Sequence, residues 1–521
     1  MPEAVGSPSP FPLPARLLAG LAILAMGVFA WVAWQRVGYP FELEWMEGAM
    51  VDHAARIGQG LPIYAPPGPD HVAFLYTPLF YWLTALLAVG LGDGFLTARL
   101  IGLLATVAAV ALLGHWVRRE CGRVLPGIVA IGLLFLGSGW YRWWLDLARN
   151  DSLFVLWMLA TGYLLRWHGT RGAFAAAVTA ILAFLSKQTA VLWLPAVGVG
   201  ALLLDWRNGL RFGIAGALGL GATIGIYHLA TDGWFTFFVF EMPRGHGIQG
   251  DRKLGFWNDD LVPILPAIGL ALFVFVQYVR QARARVGLFL AAFASGGLLA
   301  SYLSRLHIGG FDNVLLYGFV GACLLAPLAL TLATSTRGQT FVTTLLLVQW
   351  AMLIVDVRAL WQARPVLLYD PRHALPTTAH RQAHEEHLAF LQQARGDVVV
   401  LSHGHVAAMA GKPRTAHGQA IHDLLNPMIP VLEGKVGAAA SPWQQEVILA
   451  FHERFSAALR ERRFAAIVLD QQVGGAFEGV FTNALQGNYR RRPGPLLTEP
   501  AALQPIVGML TNSPYVLEPV R

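Results

Sequence analysis

The sequence predicts a mainly α-helical, polytopic membrane protein of about 11 transmembrane helices, with a small α/β domain at its C-terminal end. Of the 521 residues, 55% are hydrophobic and only 13% are charged, whereas soluble proteins carry about a quarter charged residues. Apolar windows of about 15 to 22 residues, the length that crosses a hydrocarbon core, recur over the first two thirds of the chain. After Ala363 no window is long and apolar enough to span, and His, Glu, Gln and Arg become frequent.

This change in composition predicts two domains. Residues 1–362 would form the membrane domain and residues 363–521 a small aqueous domain. The net charge of +7 is compatible with nucleic-acid binding, but the basic residues are scattered over short loops instead of forming a stripe. That placement is typical of the charge bias that orients membrane proteins. The sequence therefore predicts the lipid bilayer, and not nucleic acid, as a partner.

Eleven stretches are predicted to span the membrane. They are Leu17–Trp34, Leu96–Trp116, Pro126–Tyr141, Asp151–Trp167, Gly172–Ser186, Thr189–Leu204, Leu210–Leu229, Asp260–Tyr278, Val286–Leu303, Val314–Leu332 and Thr340–Val357. A twelfth stretch, Tyr76–Leu91, could either span or lie on the outer surface. The first span follows Arg16 and has no convincing small-residue cleavage site, so it is predicted to be a retained anchor.

Positive charge in the loops distinguishes eleven spans from twelve. With eleven spans and a cytosolic N-terminus, the arginine clusters of five loops face the cytosol: Arg118/Arg119/Arg123, Arg166/Arg171, Arg207/Arg211, Arg280/Arg283/Arg285 and Arg337. A span at Tyr76–Leu91 would turn all of them outward, against the positive-inside rule. We therefore predict eleven spans, with the C-terminal domain on the extracytoplasmic side.

Four basic residues lie at predicted outer helix ends, where orientation does not require positive charge. They are Arg142, Arg149, Lys187 and Arg305. Basic groups at headgroup depth are suited to hold a lipid phosphate or diphosphate. The alternative is that they extend to water or pair with Asp146, Asp151 and Asp312. Lys187 interrupts a long apolar stretch, which is costly unless the lysine is paired or functional.

Three carboxylates, Glu42, Glu44 and Glu47, follow the first span directly. If this segment is helical, Glu44 and Glu47 share one face. Carboxylates beside a membrane and among aromatic side chains are partly desolvated, which raises the pKa and suits a general base. The alternative is a solvated loop whose acids have no catalytic role.

Two further regions carry predictions. The long loop Asp232 to Asp260 is Gly-rich and mixed in charge, which favours a lid or binding element, or a segment disordered until a ligand binds. In the aqueous domain, Asp397–Ser402 and Phe464–Asp470 are predicted strands, with Pro442–Arg463 as an amphipathic helix between them.

The histidines and cysteines predict no metal site and no disulfide. His380, His384 and His387 have a spacing compatible with zinc, but the sequence is not His-Glu-x-x-His and offers no obvious third ligand. A solvated, His-rich helix is predicted instead. Cys121 and Cys323 fall in a cytosolic loop and inside a span, so they are not expected to pair. Acids of the outer loops could still hold a divalent cation without a clear spacing.

The order of these motifs resembles that of the GT-C superfamily of membrane glycosyltransferases. Protein O-mannosyltransferases, lipid A aminoarabinose transferases and many bacterial relatives belong to it. The matching features are an acid after helix one, Gly60–Tyr64, Tyr76–Tyr81, Thr97–Leu100, Ala148–Leu153, Ser186–Ala190 and Ser304–Asn313. Together they cover the whole membrane domain.

The resemblance implies a reaction at the outer face of a bacterial cytoplasmic (inner) membrane. A sugar would pass from a polyprenyl-phosphate carrier to a hydroxyl of a glycan, lipid or protein acceptor. An acid of the first outer loop would act as general base or orient the acceptor, while basic residues at outer helix ends hold the carrier phosphate. The C-terminal domain would contact the acceptor or cover the cavity, and no nucleotide-sugar site is expected.

The resemblance also implies site residues. Catalytic roles fall to Glu44, Glu47 and Asp151, and substrate or lipid-phosphate binding falls to Arg149, Lys187, Arg305, His307 and Tyr76. Relatives usually carry an Asp-Glu pair in the first loop, and here Met46 occupies the Asp position. The base is therefore Glu47 by register or Glu44 one turn earlier, and the two stay unresolved.

Some of these residues have simpler interpretations. Asp151 could serve only as an N-terminal cap of its helix. Arg305 and His307 precede Gly309 and Gly310, where backbone can approach a ligand closely, but they could equally belong to an ordinary polar loop.

Two other functions remain open. A transporter or flippase would also be polytopic, but transporters more often show internal repeats and charged or broken helices near the midplane. Here no repeat is found, and charged residues concentrate at the outer ends of spans. A non-catalytic assembly protein, whose outer domain binds a partner, is the second alternative.

Overall fold

The computed structural model of the chain describes residues 11–358, 366–427, 440–511 and 514–520. The predicted domain boundary at residues 362 and 363 lies outside the described residues. The longer helices are α1 Leu13–Val37, α2 Glu47–Gly58, α3 Leu79–Leu91, α4 Phe95–Cys121, α5 Val124–Leu136, α6 Asp151–Trp167, α7 Gly169–Ser186, α8 Ala190–Leu204, α9 Trp206–Ala230, α10 Leu265–Arg280, α11 Ala284–Leu306, α12 Leu315–Leu325, α13 Thr336–Ile354, α14 Thr378–Gln393, α15 Gly418–Leu425, α16 Pro442–Arg460 and α17 Gln471–Val480. The strands are β1 Asp397–Val400, β2 Phe464–Leu469, β3 Tyr489–Arg491 and β4 Tyr515–Pro519.

The first two thirds of the chain form a bundle of apolar helices. In the described residues, seven helices are long and apolar enough to cross a membrane, and α3, α8 and the Val124–Gly139 segment are shorter and also apolar. Each of the eleven predicted spans coincides with a helix. Large apolar side chains such as Leu86 (71% exposed) and Leu218 (70% exposed) cover the outside of the bundle. Such a surface needs lipid, because water would not solvate it favourably.

Small residues allow the helices to approach closely, as is usual between helices in membranes. A Cβ added to Gly132 on α5 would lie 2.3 Å from the Cβ of Ala22 on α1. A Cβ on Gly321 of α12 would lie 2.7 Å from the Cα of Ala294 on α11. These contacts fix the relative positions of the helices whose ends carry the polar groups described below.

The segment predicted to be the first outer loop, a name kept below, folds into two helices. Helix α2 begins at Glu47 and packs against α3, which begins after Pro78. Glu44 lies before α2 and forms an isolated bridge with Val507. The expectation of a helical face shared by Glu44 and Glu47 is therefore wrong. The backbone turns between them, since the N–H of Glu47 bonds the carbonyl of Glu44, and their carboxylates take different partners.

The segment from Asp232 to Asp260, called the long outer loop below, is largely helical. Its role as a lid or binding element stays a prediction. Helical turns run from Trp234 to Arg244 and from Arg252 to Asp260. Between them, the N–H of Gln249 donates to the carbonyl of Leu306, and the N–H of Ile308 donates to the carbonyl of Gly247. The loop is thus held against the end of α11.

The C-terminal region contains a four-stranded mixed sheet in the order β1-β2-β4-β3. Strands β1 and β2 are parallel, and β4 is antiparallel to both of its neighbours. Helix α16 lies between β1 and β2 in sequence, as parallel strands require a crossover. The two predicted strands and the predicted helix are confirmed, with ends one to three residues shorter.

The C-terminal domain rests on the first outer loop. Arg463 binds Asp70 at 2.6 Å, and the N–H of Ala416 donates to the carbonyl of Pro69. The N–H of Val507 donates to the carbonyl of Leu43, next to Glu44. The acidic loop is therefore enclosed between the membrane helices and this domain.

Candidate active site

Glu44 is a fully buried carboxylate that keeps one oxygen available. Its Oε2 accepts from the N–H of Met46 at 3.2 Å and from Nη1 of Arg149 at 3.1 Å. Its Oε1 has no hydrogen-bond partner among the described residues. Burial raises the pKa of Glu44 to about 7, against the opposing effects of Arg149 and the Met46 N–H. A carboxyl group that titrates near neutrality can accept a proton during a reaction.

Glu47 is equally buried, but its surroundings stabilise the ionised carboxylate. Arg99 binds both of its oxygens, at 2.7 and 3.1 Å, and the N–H groups of Ala148 and Leu43 each donate to it at 2.7 Å. Burial alone would raise its pKa, but Arg99 and these N–H groups hold the pKa of Glu47 below its ordinary value. Glu47 therefore fixes the loop in place.

Arg99, which opens helix α4 in the Thr97–Leu100 motif, completes this anchor. Besides Glu47, its guanidinium donates to the carbonyls of Arg36, Tyr39 and Phe41 at 2.5 to 3.1 Å. One buried cation thus ties the end of α1 and the acidic loop to α4. A matched set of donors is what makes a buried ion pair tolerable.

Asp151, at the start of α6, accepts hydrogen bonds from four side chains. Its Oδ1 accepts from Nζ of Lys187 at 2.7 Å, the amide of Asn313 at 3.0 Å and the hydroxyl of Tyr317 at 2.6 Å. Its Oδ2 accepts from the indole of Trp144 at 3.0 Å. Asn150 occupies the cap position and Asp151 makes no capping hydrogen bond. The interpretation as a helix cap alone is wrong, because all four donors come from outside α6.

Tyr76 and Arg149 connect the Glu44 and Asp151 clusters. Nη2 of Arg149 donates to the Tyr76 hydroxyl at 2.8 Å. Nζ of Lys187 lies 5.5 Å from the ring centre of Tyr76. Burial lowers the pKa of Lys187, although Asp151 opposes the shift. Five predicted residues, Glu44, Arg149, Tyr76, Lys187 and Asp151, thus form one continuous polar group, which we call the central cluster.

Arg305 and His307 belong to a second group. Arg305 binds Asp260 and Asp312, each at 2.8 Å. Nε2 of His307 bonds the carbonyl of Pro243 at 3.1 Å. These contacts tie the end of α11 to the long outer loop. No hydrogen bond or ion pair among the described residues joins Arg305 or His307 to the central cluster.

All four outer basic residues have carboxylate partners. Lys187 pairs with Asp151, Arg142 and Arg305 with Asp312, and Arg149 with Glu44. The predicted partner Asp146 binds Arg36 of α1 instead, at 3.2 Å. For Lys187, Arg142 and Arg305, the structure therefore shows the predicted alternative, in which these residues pair with Asp151 or Asp312.

One further acid, Asp423 of α15, was not predicted from the sequence. It is buried, Nε2 of His246 lies 3.8 Å from its Oδ1, and Gln419 donates to it. Burial raises the pKa of Asp423 to about 6. The ring of His246 lies 4.7 Å from that of His307, so Asp423 lies next to the second group. No local motif marks this residue, because only the docking of the domain brings it here.

The histidine helix α14 is not solvated as predicted. His380 caps its start with Thr377, but His384 and His387 are buried against His403. The ring of His384 stacks on Phe41 of the first loop, with centres 4.8 Å apart. The prediction failed because α14 turns this face toward the membrane domain. Among the described residues, no group of three or more His, Cys, Asp or Glu side chains could hold a metal ion.

No protein-family model and no curated protein sequence matches the chain, but solved structures do. ArnT from Cupriavidus metallidurans bound to undecaprenyl phosphate is 11% identical, with a TM-score of 0.57, and the match covers 96% of this chain and 98% of that chain. ArnT from the same organism in the apo state is 12% identical, with a TM-score of 0.57, and the match covers 96% of this chain and 97% of that chain. A third structure is archaeal oligosaccharyltransferase AglB from Archaeoglobus fulgidus, in complex with an inhibitory peptide and a dolichol-phosphate. It is 10% identical, with a TM-score of 0.52, and the match covers 91% of this chain and 72% of that chain.

A match over nearly the whole chain at such low identity is a match of fold. It includes the membrane helices and the C-terminal region of this chain alike, because 96% of the chain is covered. The predicted fold class is confirmed. The chain has the GT-C fold, which it shares with ArnT and AglB.

Proposed function

We propose that this chain is a membrane glycosyltransferase that moves a sugar from a polyprenyl-phosphate carrier to an acceptor hydroxyl at the outer face of a bacterial cytoplasmic membrane. The observation that carries the proposal is the central cluster. It combines a buried carboxylate that titrates near pH 7 with two cations at helix ends, Arg149 and Lys187. Sugar transfer from a phosphate needs both parts, a base for the acceptor and positive charge for the leaving phosphate.

Glu44 is the base in this mechanism. The acceptor hydroxyl attacks the anomeric carbon, the bond from that carbon to the phosphate oxygen breaks, and Glu44 takes the hydroxyl proton. Its Oε1 is free to accept that proton, since no described residue bonds it. Glu47 does not fit this role, because Arg99, Ala148 and Leu43 occupy its oxygens. Of the two acids predicted from the sequence, we therefore propose Glu44 as base and Glu47 as its support.

Arg149 and Lys187 would hold the carrier phosphate. Arg149 has a planar guanidinium, which its hydrogen bond from Nη2 to the Tyr76 hydroxyl at 2.8 Å holds in place. A phosphate bound to Arg149 would compete with Glu44 for the same cation. Donor binding would then release the Glu44 carboxylate for the acceptor, so the base becomes active only when the donor is in place. Asp151 keeps Lys187 oriented at 2.7 Å.

The solved neighbours support the kinds of substrate. ArnT is bound to undecaprenyl phosphate, and AglB is in complex with a dolichol-phosphate and an inhibitory peptide. Both ligands are long-chain polyprenyl phosphates. The shared fold therefore supports a lipid-phosphate donor for this chain, but it does not identify the sugar or the acceptor.

The C-terminal domain, residues 363–521 in the proposed division, would cover the acceptor side of the site. Val507 bonds Leu43, and a Cβ added to Gly508 would lie 2.8 Å from Cγ of Glu44. An acceptor that reaches Glu44 must pass or displace this segment. We therefore place the domain on the same, extracytoplasmic side as the central cluster.

The test is sugar transfer by the purified full-length chain in proteoliposomes, with a panel of radiolabelled polyprenyl-phosphate sugars and a membrane extract as acceptor. Transfer by the unaltered protein and its loss in Glu44→Gln would support the proposal. Glu385→Gln, at an exposed position on α14, is the matched control. Uptake or flipping of a solute that persists in Glu44→Gln, without any sugar transfer, would instead identify a transporter.

A further inference from the structure

A polar cavity of about 280 Å³ lies outside the central cluster, between the first outer loop and the C-terminal domain. Helix α2 forms one wall, with Asp52 and Arg56. Residues 412–417 form the facing wall, with Lys412, Arg414 and His417. A cavity near the lower end of the usual size for small-molecule sites holds a ligand of headgroup size.

Both acids that line the cavity are already neutralised. Asp52 accepts from Nε of Arg414 at 2.8 Å and from Nδ1 of His405 at 2.9 Å. Asp70 binds Arg463 at 2.6 Å. Neither carboxylate therefore presents an unpaired negative charge to a ligand.

Two cations of the cavity keep donors that the protein does not use. Nε of Arg56 donates to the carbonyl of Pro62, and within the described part of the chain its two terminal nitrogens have no hydrogen-bond partner. Nζ of Lys412 donates to the carbonyl of Ala394 and to no other acceptor among the described residues, which leaves two of its three N–H groups.

The three histidines of the walls, His53, His71 and His417, add no positive charge. Burial lowers the pKa of His53 to about 4, that of His417 to about 3 and that of His71 well below its ordinary value, so the three rings are neutral at pH 7. The cavity lining thus carries three cations, Arg56, Lys412 and Arg414, against the two acids. Its net positive charge and unused N–H groups fit an anion.

We propose that this cavity binds a phosphate group carried by the acceptor substrate. A phosphate monoester has up to two negative charges and three acceptor oxygens, which match an arginine and a lysine that approach from facing walls. The cavity is also next to the site, because Nε2 of His417 bonds the carbonyl of Trp45, the neighbour of Glu44. Only the role as acceptor rests on the proposed function, since phosphate binding itself does not depend on sugar transfer.

The experiment measures binding of inorganic phosphate and of glycerol 3-phosphate to the detergent-purified full chain by calorimetry, at fixed ionic strength. We expect glycerol 3-phosphate to bind more tightly than inorganic phosphate. Arg56→Gln and Lys412→Gln should each weaken its affinity at least about tenfold, since each removes charge-assisted hydrogen bonds. Arg490→Gln, at an exposed position of β3, should leave the affinity unchanged. Thermal midpoints of all variants establish that they are folded.

Other results overturn the proposal. Absence of phosphate binding, or wild-type affinity in the double variant Arg56→Gln/Lys412→Gln, would remove the site. Inorganic phosphate that binds as tightly as glycerol 3-phosphate would show a free-anion site and sink the acceptor role. Glu44→Gln separates this proposal from the proposed function: it should abolish transfer and keep phosphate affinity. Phosphate binding in a protein without transferase activity would refute only the function.

Discussion

Glu44 and Glu47 are three residues apart and fully buried, yet their surroundings give them different chemistry. Burial penalises the charged form of each, and the outcome depends on the donors that replace water. Glu47 receives four donor contacts, including both from Arg99, and stays ionised. Glu44 receives two and titrates near pH 7. The number of donors thus gives Glu44 the chemistry of the proposed base and Glu47 that of a structural anchor.

The Glu44→Gln variant tests the base. Glutamine keeps the size of the side chain and loses the ability to take a proton, so we expect transfer to fall about 100- to 10,000-fold. The measured quantity is the initial rate at saturating donor. A variant that retains more than a tenth of the wild-type rate would rule out Glu44 as the general base.

The Glu47→Gln variant should act on stability. It leaves the buried guanidinium of Arg99 without its counter-charge, which typically costs about 3–5 kcal/mol. We expect a lower thermal midpoint in detergent and low yield of folded protein. If the midpoint stays at the wild-type value while transfer is lost, Glu47 and not Glu44 would be the catalytic acid.

The pH dependence follows from the raised pKa of Glu44, about 7. A base must be deprotonated, so the transfer rate at subsaturating donor, which reports the donor-free enzyme, should rise with pH through about 7 and level off above it. At one pH unit below the pKa, roughly a tenth of the groups are ionised, and the rate should be about a tenth of the plateau. A rate that is flat between pH 5.5 and 8.5 would contradict this assignment.

At the scale of helices, Asp151 joins the start of α6 to the junction of α7 and α8 and to α12. Lys187 and Tyr317 reach it from these two elements. The hydrophobic length of each helix was predictable, because any apolar run of sufficient length crosses the hydrocarbon core. The pairing of polar side chains between helix ends was not predictable from the sequence, because it depends on how the helices pack.

A double-variant cycle tests this junction. Asp151→Asn leaves the buried Lys187 ammonium with weaker partners and should lower the thermal midpoint strongly. Adding Lys187→Met removes the unpaired charge and should recover most of the midpoint, while transfer stays low because one of the two proposed phosphate-binding cations is missing. If transfer returns together with the midpoint, the pair is structural only.

At the scale of the whole molecule, the C-terminal domain closes the site through the segment around Gly508. Gly508 has a positive φ of 86°, and a side chain there would touch Glu44. The histidine helix, Asp423 and the cavity at Lys412 are also products of this docking. Residues more than 300 positions apart become neighbours only when the two regions meet, as His403 and Glu42 show.

Gly508→Ala tests this closure. The alanine should cost roughly 1 kcal/mol of backbone strain and push its Cβ toward Glu44, so we expect transfer to fall several-fold. Gly487→Ala is the matched control, since Gly487 has a φ of 76° and nothing within 4 Å of an added Cβ. Equal loss of transfer in both variants would mean that strain alone explains the effect.

From the sequence alone we could predict the membrane helices, the two strands at Val398 and Ile467, and, through the family resemblance, the five residues that form the central cluster. Hydrophobic length and period are local properties of the chain. The different surroundings of Glu44 and Glu47, the burial of the histidines of α14 and the position of Asp423 beside His246 follow only from the tertiary structure. Those outcomes depend on which donors surround a group after folding, because long-range packing sets the desolvation and hydrogen bonding of each side chain.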